Sequence, residues 1–84
     1  MHVEFFGVSR ERAGVGEVHV EADTLGGVLT TLAARMPGLA ELIVDDRLHP
    51  SLAASLNGDR FISDPGTPLG DRDRVLIVSS DAGG

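Results

Sequence analysis

The sequence contains no cysteine and no lysine. Without cysteine there is no disulfide, no thiolate zinc site and no cysteine nucleophile. Without lysine there is no internal ε-amine to carry an isopeptide tag. All seven basic residues are arginines, set against thirteen acids. The resulting net charge of −6 argues against nucleic acid as a ligand and permits a basic protein partner. Long apolar runs are also missing: no stretch approaches the length of a membrane span, and no signal peptide opens the sequence. A cytoplasmic protein that does not engage a membrane is the expectation.

What is present is enough for one small core. The 84 residues, 42% of them apolar, fit a single domain over 1–84 with little stability to spare. His2 to Val8 alternates, which predicts a strand with Val3 and Phe5 facing inward. Phe6 then falls on the same face as Glu4, an apolar residue on the polar side: either a single exposed phenylalanine of no consequence or the mark of a face that meets a partner. Ser9 to Gly14 reads as a polar turn in which Arg10 and Arg12 are either solvated or an anion site. Val15 to Glu21 alternates again, with Val18 and Val20 on one face, so the two runs predict an antiparallel hairpin. Thr24 is placed to cap a helix. Leu25, Val28, Leu29, Leu32, Ala33 and Met36 form its apolar stripe, and Pro37-Gly38 ends it. Gly26 and Gly27 weaken the first turn but would let the helix approach the sheet closely.

Leu39 to Asp46 is expected to be a short helical turn followed by an acidic loop. Asp45, Asp46 and His49 lack the spacing of a metal motif, and no metal is expected. Ser51 to Asn57 is ambiguous, because leucine and alanine favour helix. Leu52, Ala54 and Leu56 alternate, however, and Asn57-Gly58 is a hairpin turn signal, so a strand is predicted with Arg60 to Ser63 as its partner. Phe61 in that partner is a second isolated aromatic. Asp64 to Gly70, with two prolines and two glycines, is a loop. Arg74 to Val78 is the most β-like run, with Val75 and Ile77 alternating against Leu76 and Val78. The first and last strands are expected to be parallel neighbours.

The last strand is followed by Ser79-Ser80-Asp81-Ala82-Gly83-Gly84. Four extended residues reach about 13 Å, and glycine has no Cβ to obstruct a narrow channel. Such a tail, 79–84, suits chemistry on the Gly84 α-carboxylate inside another protein's active site.

The order strand, strand, helix, strand, strand, strand, ending in Gly-Gly, resembles the MoaD/ThiS family of ubiquitin-like sulfur carriers along nearly the whole length. The resemblance is carried by Phe5-Phe6 with Arg10-Glu11-Arg12-Ala13-Gly14, by Thr24-Leu25 and Pro37-Gly38 at the two ends of the helix, and by Leu56-Asn57-Gly58. Pro68-Leu69-Gly70-Asp71-Arg72-Asp73-Arg74-Val75 and Ala82-Gly83-Gly84 complete it. It implies an α+β, β-grasp fold: a mixed sheet with one main helix on one face. Length and the long first turn are most similar to the molybdopterin-synthase small subunit.

That resemblance implies a carrier with no bound cofactor. An E1-like adenylating and sulfurating enzyme would use ATP to activate Gly84, with Gly83 beside it, and sulfide would displace AMP to give a thiocarboxylate. With no cysteine, the sulfur would not travel as a persulfide of this chain. The molybdopterin-synthase large subunit would receive the tail, and sulfur would pass to a cyclic pyranopterin. Phe6, Phe61 and Val78 match the positions at which apolar residues of the family meet partners, and Asp81 and Ala82 in the tail are expected to touch the partner as well. Ser79-Ser80-Asp81 departs from the apolar residues usual before Ala-Gly-Gly. A carrier for thiamine, cysteine or specialised-metabolite biosynthesis, or a ubiquitin-like modifier or interaction module without sulfur transfer, is therefore the alternative.

Overall fold

The computed structural model describes residues 1–80. Five strands form the main sheet: β1 (His2–Phe5), β2 (Glu17–His19), β5 (Leu52–Leu56), β6 (Arg60–Ile62) and β7 (Arg74–Ser79). Their spatial order is β2-β1-β7-β5-β6. The alternation that defined β1 and β7 in the sequence now has a cause: Val3, Phe5, Val75 and Ile77 are all buried on one face. The two strands are parallel neighbours, with Val3 opposite Val75 and Phe5 opposite Ile77. Every other pairing in this sheet is antiparallel. The outer face of β1 carries His2 and Glu4, so this central strand is apolar on one face only.

The buried face packs against α2 (Leu25–Arg35). Thr24 caps it as expected, its Oγ1 accepting from the Gly27 N–H at 3.1 Å. The Leu25 and Gly26 N–H groups, which lack partners inside the helix, donate to the carbonyls of Thr67 (3.0 Å) and Pro65 (2.8 Å). The 64–70 loop thus closes the helix N-terminus. Gly26 has its reason here and not at the sheet: a Cβ would come within 3.1 Å of Pro65. Leu25, Val28, Leu29 and Leu32 are buried against the sheet, as the stripe predicted. The fold is a β-grasp.

Four expectations are corrected. The Ser9–Gly14 turn is a six-residue helix, α1 (Val8–Ala13), ended by Gly14 at φ 81°, so β1 stops at Phe5 and the strand pair is bridged by a helix. Val15 to Glu21 contributes only Glu17–His19 to β2. Pro37 ends α2 but opens another short helix, α3 (Pro37–Ala40), as proline at a first helical position permits. Of the helical turn expected from Leu39, only Leu39 and Ala40 are helical, within α3, and the acidic loop is the turn of a second, two-stranded sheet, β3 (Ile43–Val44) with β4 (Arg47–Leu48). Asp45 and Asp46 turn between them at φ 53° and 60°, and Asp46 accepts from Thr30 Oγ1 at 2.6 Å, which ties the hairpin to α2.

The Ser51–Asn57 strand is observed as β5. Asn57 and Gly58 turn with positive φ (56° and 74°) into β6, as the hairpin signal required. No helix among the described residues is long and apolar enough to cross a membrane.

Candidate functional site: the last strand and the open sheet face

The helices cover one face of the sheet, and the other face is where the expected partner residues stand. β7 lies at the centre, between β1 and β5. Its buried residues alternate with half-buried Leu76 and Val78. Val78 is opposite Ala53, and Leu76 is opposite both Glu4 and Ser55. Phe6 follows buried Phe5, is 44% exposed, and donates its N–H to the Ile77 carbonyl at 3.1 Å. Phe6 and Val78 are thereby brought together at the C-terminal end of the two central strands. Phe61, 72% exposed, is opposite Ser55 on the edge strand. Two strand spacings, about 10 Å, separate it from β7, so it flanks the Phe6 and Val78 position.

The end of β7 is held on both sides. Ser79 extends the strand one residue beyond Val78, paired with Leu52. The Ser80 N–H donates to the Ser51 carbonyl at 2.9 Å, and its hydroxyl donates to the Pro50 carbonyl. On the other side Gly7 approaches Ser79, and a Cβ on Gly7 would lie 3.3 Å from Ser79 Oγ. Gly7 sits at φ 60° and ψ −129°, a conformation that L side chains avoid. The chain therefore leaves the sheet between Gly7 and the Pro50–Ser51 segment.

Ser9 fixes the same corner from beneath. It is fully buried, and its hydroxyl is within reach of the Ile77 carbonyl (2.7 Å) and the Phe6 carbonyl (2.9 Å). It also accepts from the Phe6 N–H at 3.1 Å. One hydroxyl proton serves one carbonyl at a time. The side chain nevertheless fastens α1 to β1 and β7 directly below the exit.

Sequence reasoning missed Ser9 and Val8. Val8 was expected inside the first strand; it opens α1 and is 47% exposed, adding apolar surface next to Gly7. The signal that could have found this was Gly7 itself, an interruption in an otherwise regular strand pattern. Arg10 and Arg12 do not converge: Arg12 lies 3.9 Å from Glu41, whereas the Arg10 guanidinium lies over Gly16. Asp46 and His49 also have separate partners, Thr30 and Ser51.

At the far end of β7, Asp73 accepts from the Gly70 N–H at 2.7 Å and from Asn57 Nδ2 at 3.1 Å. The backbone bond from Gly70, then the Asn57 bond, hold its carboxyl below the usual 3.8, and the Arg60 charge helps. Gly84, Gly83, Ala82 and Asp81, the expected tail residues, lie outside the described residues.

A model of the ThiS family matches residues 3–84. The chain belongs to the ThiS family. No curated protein matches it by sequence, but solved structures do. It is 32% identical to the HVO 2177 protein of Haloferax volcanii, with a TM-score of 0.76, covering 99% of this chain and 84% of that one. It is 25% identical to the small archaeal modifier protein SAMP1 of Methanosarcina acetivorans, with a TM-score of 0.80 and coverage of 99% and 94%. It is also 25% identical to a chain in the complex of subunits 1 and 2 of the Helicobacter pylori molybdopterin-converting factor, with a TM-score of 0.66 and coverage of 99% and 96%. The fold of this ThiS-family chain is that of the ubiquitin-like sulfur carriers.

Proposed function

We propose that this ThiS-family protein carries sulfur on the Gly84 α-carboxylate and donates it to a cyclic pyranopterin as the small subunit of a molybdopterin synthase. The observation that carries the reading is the arrangement of β7: a central strand, clasped as far as Ser80 and bordered by Phe6 and Val78, leads directly into Asp81-Ala82-Gly83-Gly84. The similarity to the Helicobacter complex supports the same assignment.

The chemistry follows from the weakness of a carboxylate as an electrophile. The partner enzyme transfers AMP from ATP to a Gly84 oxygen and releases pyrophosphate. Sulfide then attacks the acyl carbon, and AMP departs with that oxygen. The chain itself contributes a tail of fixed origin and a recognition face. Near the exit, the hydroxyls of Ser9 and Ser80 are committed to backbone carbonyls. Catalysis is assigned to the activating enzyme and to the large synthase subunit, which would also supply a cation opposite Asp81.

A second reading is favoured by the similarity to SAMP1. In a modifier, an acceptor amine on a target protein would take the place of sulfide. Intact mass after incubation with an activating enzyme, ATP and sulfide tests the first reading. The expected gain equals replacement of one oxygen by sulfur, and deletion of Gly84 abolishes it. Moving the reactive carbon by one residue, about 3.5 Å, far exceeds the 1 Å misplacement that can cost about 100-fold. Covalent conjugates with no thiocarboxylate would favour the modifier. Thiocarboxylate formation on the chain lacking Gly84 would overturn the carrier reading.

A further inference from the structure

The open face has a second feature, at the β1–β2 edge. The register places His2 opposite His19 and Glu4 opposite Glu17. Directly opposed residues in an antiparallel pair share a face, with Cβ atoms about 5 Å apart. His2 Nε2 lies 2.7 Å from Glu17 Oε2. One donor atom from each of His2, Glu4 and Glu17 falls within 4.8 Å of the other two. Two carboxylates directly opposite each other repel, and Arg74 reaches Glu4 only at 3.9 Å.

We propose that His2, Glu4 and Glu17 form a binding site for a divalent first-row transition ion, with zinc as the reference case. One imidazole and two carboxylates are a donor set such ions accept, at about 2.0–2.2 Å from each donor, with water completing the shell. The competing description is a surface His–Glu pair beside an Arg–Glu pair. Three features favour the ion. The donors converge from two adjacent strands, so the backbone and not a loop sets their spacing. His2 and Glu4 are both half-buried, which limits their freedom. A cation between Glu4 and Glu17 also turns their repulsion into attraction.

His19 is outside the set. Its Nε2 is 3.2 Å from the Met1 ammonium and its Nδ1 is 4.0 Å from Glu21. The ion would bridge β1 to β2, an edge strand of three residues, and leave an open coordination position facing outward. None of this depends on Gly84 or on the sulfur-carrier reading.

The test is calorimetric titration of the full chain with zinc alone, beside amide NMR spectra of the metal-free and zinc-saturated protein. The expected result is a single zinc per chain, with shifts centred on the 2–4 and 17–19 strands and a higher thermal midpoint. Magnesium, which disfavours imidazole, should not compete. His2→Ala and Glu17→Gln each remove a direct ligand and should weaken binding by at least the roughly 10–100-fold that loss of an outer-shell partner costs. His19→Ala and His49→Ala should leave it unchanged. Glu17 is 59% exposed, so Glu17→Gln should preserve the metal-free spectrum and keep the test decisive if His2→Ala disturbs the strand. No saturable binding, binding that survives Glu17→Gln, or binding that is lost in His49→Ala would overturn the site.

Discussion

The two faces of the main sheet are made by the same strands and do opposite work. On the inner face Val3, Phe5, Val75 and Ile77 are each at most 1% exposed, and their side chains form the core with α2. One residue away, the outer face holds Glu17, Glu4, Leu76, Ser55 and Phe61 in a single cross-strand row. Successive side chains on a strand point to opposite faces, so neighbours such as Leu76 and Ile77 belong to different parts of the protein. Buried apolar side chains are concentrated on one face, and the other is the face on which recognition is proposed.

The sharpest way to break that comparison is within β7. Ile77→Ala should cost about 2–5 kcal/mol in chemical denaturation, through lost burial and a cavity. Leu76→Ala, half-buried on the outer face, should cost only about 1 kcal/mol. Equal costs would mean that the outer face is also core.

Ser9 is the polar exception on the buried side. Ser9→Ala should destabilise by about 1–3 kcal/mol and loosen the α1 corner, seen as faster amide exchange at Phe6. If exchange there is unchanged, Ser9 does not fasten the exit.

Phe6→Asp probes the outer face. It should change stability by about 1 kcal/mol or less while weakening binding to a large synthase subunit or activating enzyme by about tenfold or more. Unchanged affinity with an intact fold would remove Phe6 from the recognition surface, and unfolding would assign it to the core.

The smallest effect is expected at Asp73. Its carboxyl titrates below the ordinary value in the folded chain. Its stabilising contribution is therefore present above the unfolded pKa of about 3.9 and is lost as pH falls through the lower folded value. Asp73→Asn keeps an acceptor for Gly70 and should flatten only the acid limb of a stability–pH curve. A mutant curve that parallels the wild type below pH 4 or so would show that the clasp does not discriminate charge.

Local pattern in the sequence determined the five sheet strands, the capped helix Leu25–Arg35, the Asn57–Gly58 turn and the buried set Val3, Phe5, Val75 and Ile77. Each follows from alternation, helical spacing or turn chemistry within a few residues. It also marked Phe6 and Val78 as apolar residues on the wrong side of their strands. α1 was not legible because half of its Val8–Ala13 segment is charged and it buries only Ser9, which leaves no apolar stripe to read. The Asp45–Asp46 hairpin was hidden for a similar reason: two-residue strands are too short to show a period.

Tertiary structure alone decided which residues meet across the sheet and its corners. The Phe6 and Val78 neighbourhood, the Ser80 clasp on Pro50 and Ser51, the Ser9 hydroxyl under Ile77, and the His2, Glu4 and Glu17 triad all join residues distant in the chain. Periodicity assigns a side chain to a face, but register across strands assigns its neighbours, and register is set by how the buried face packs.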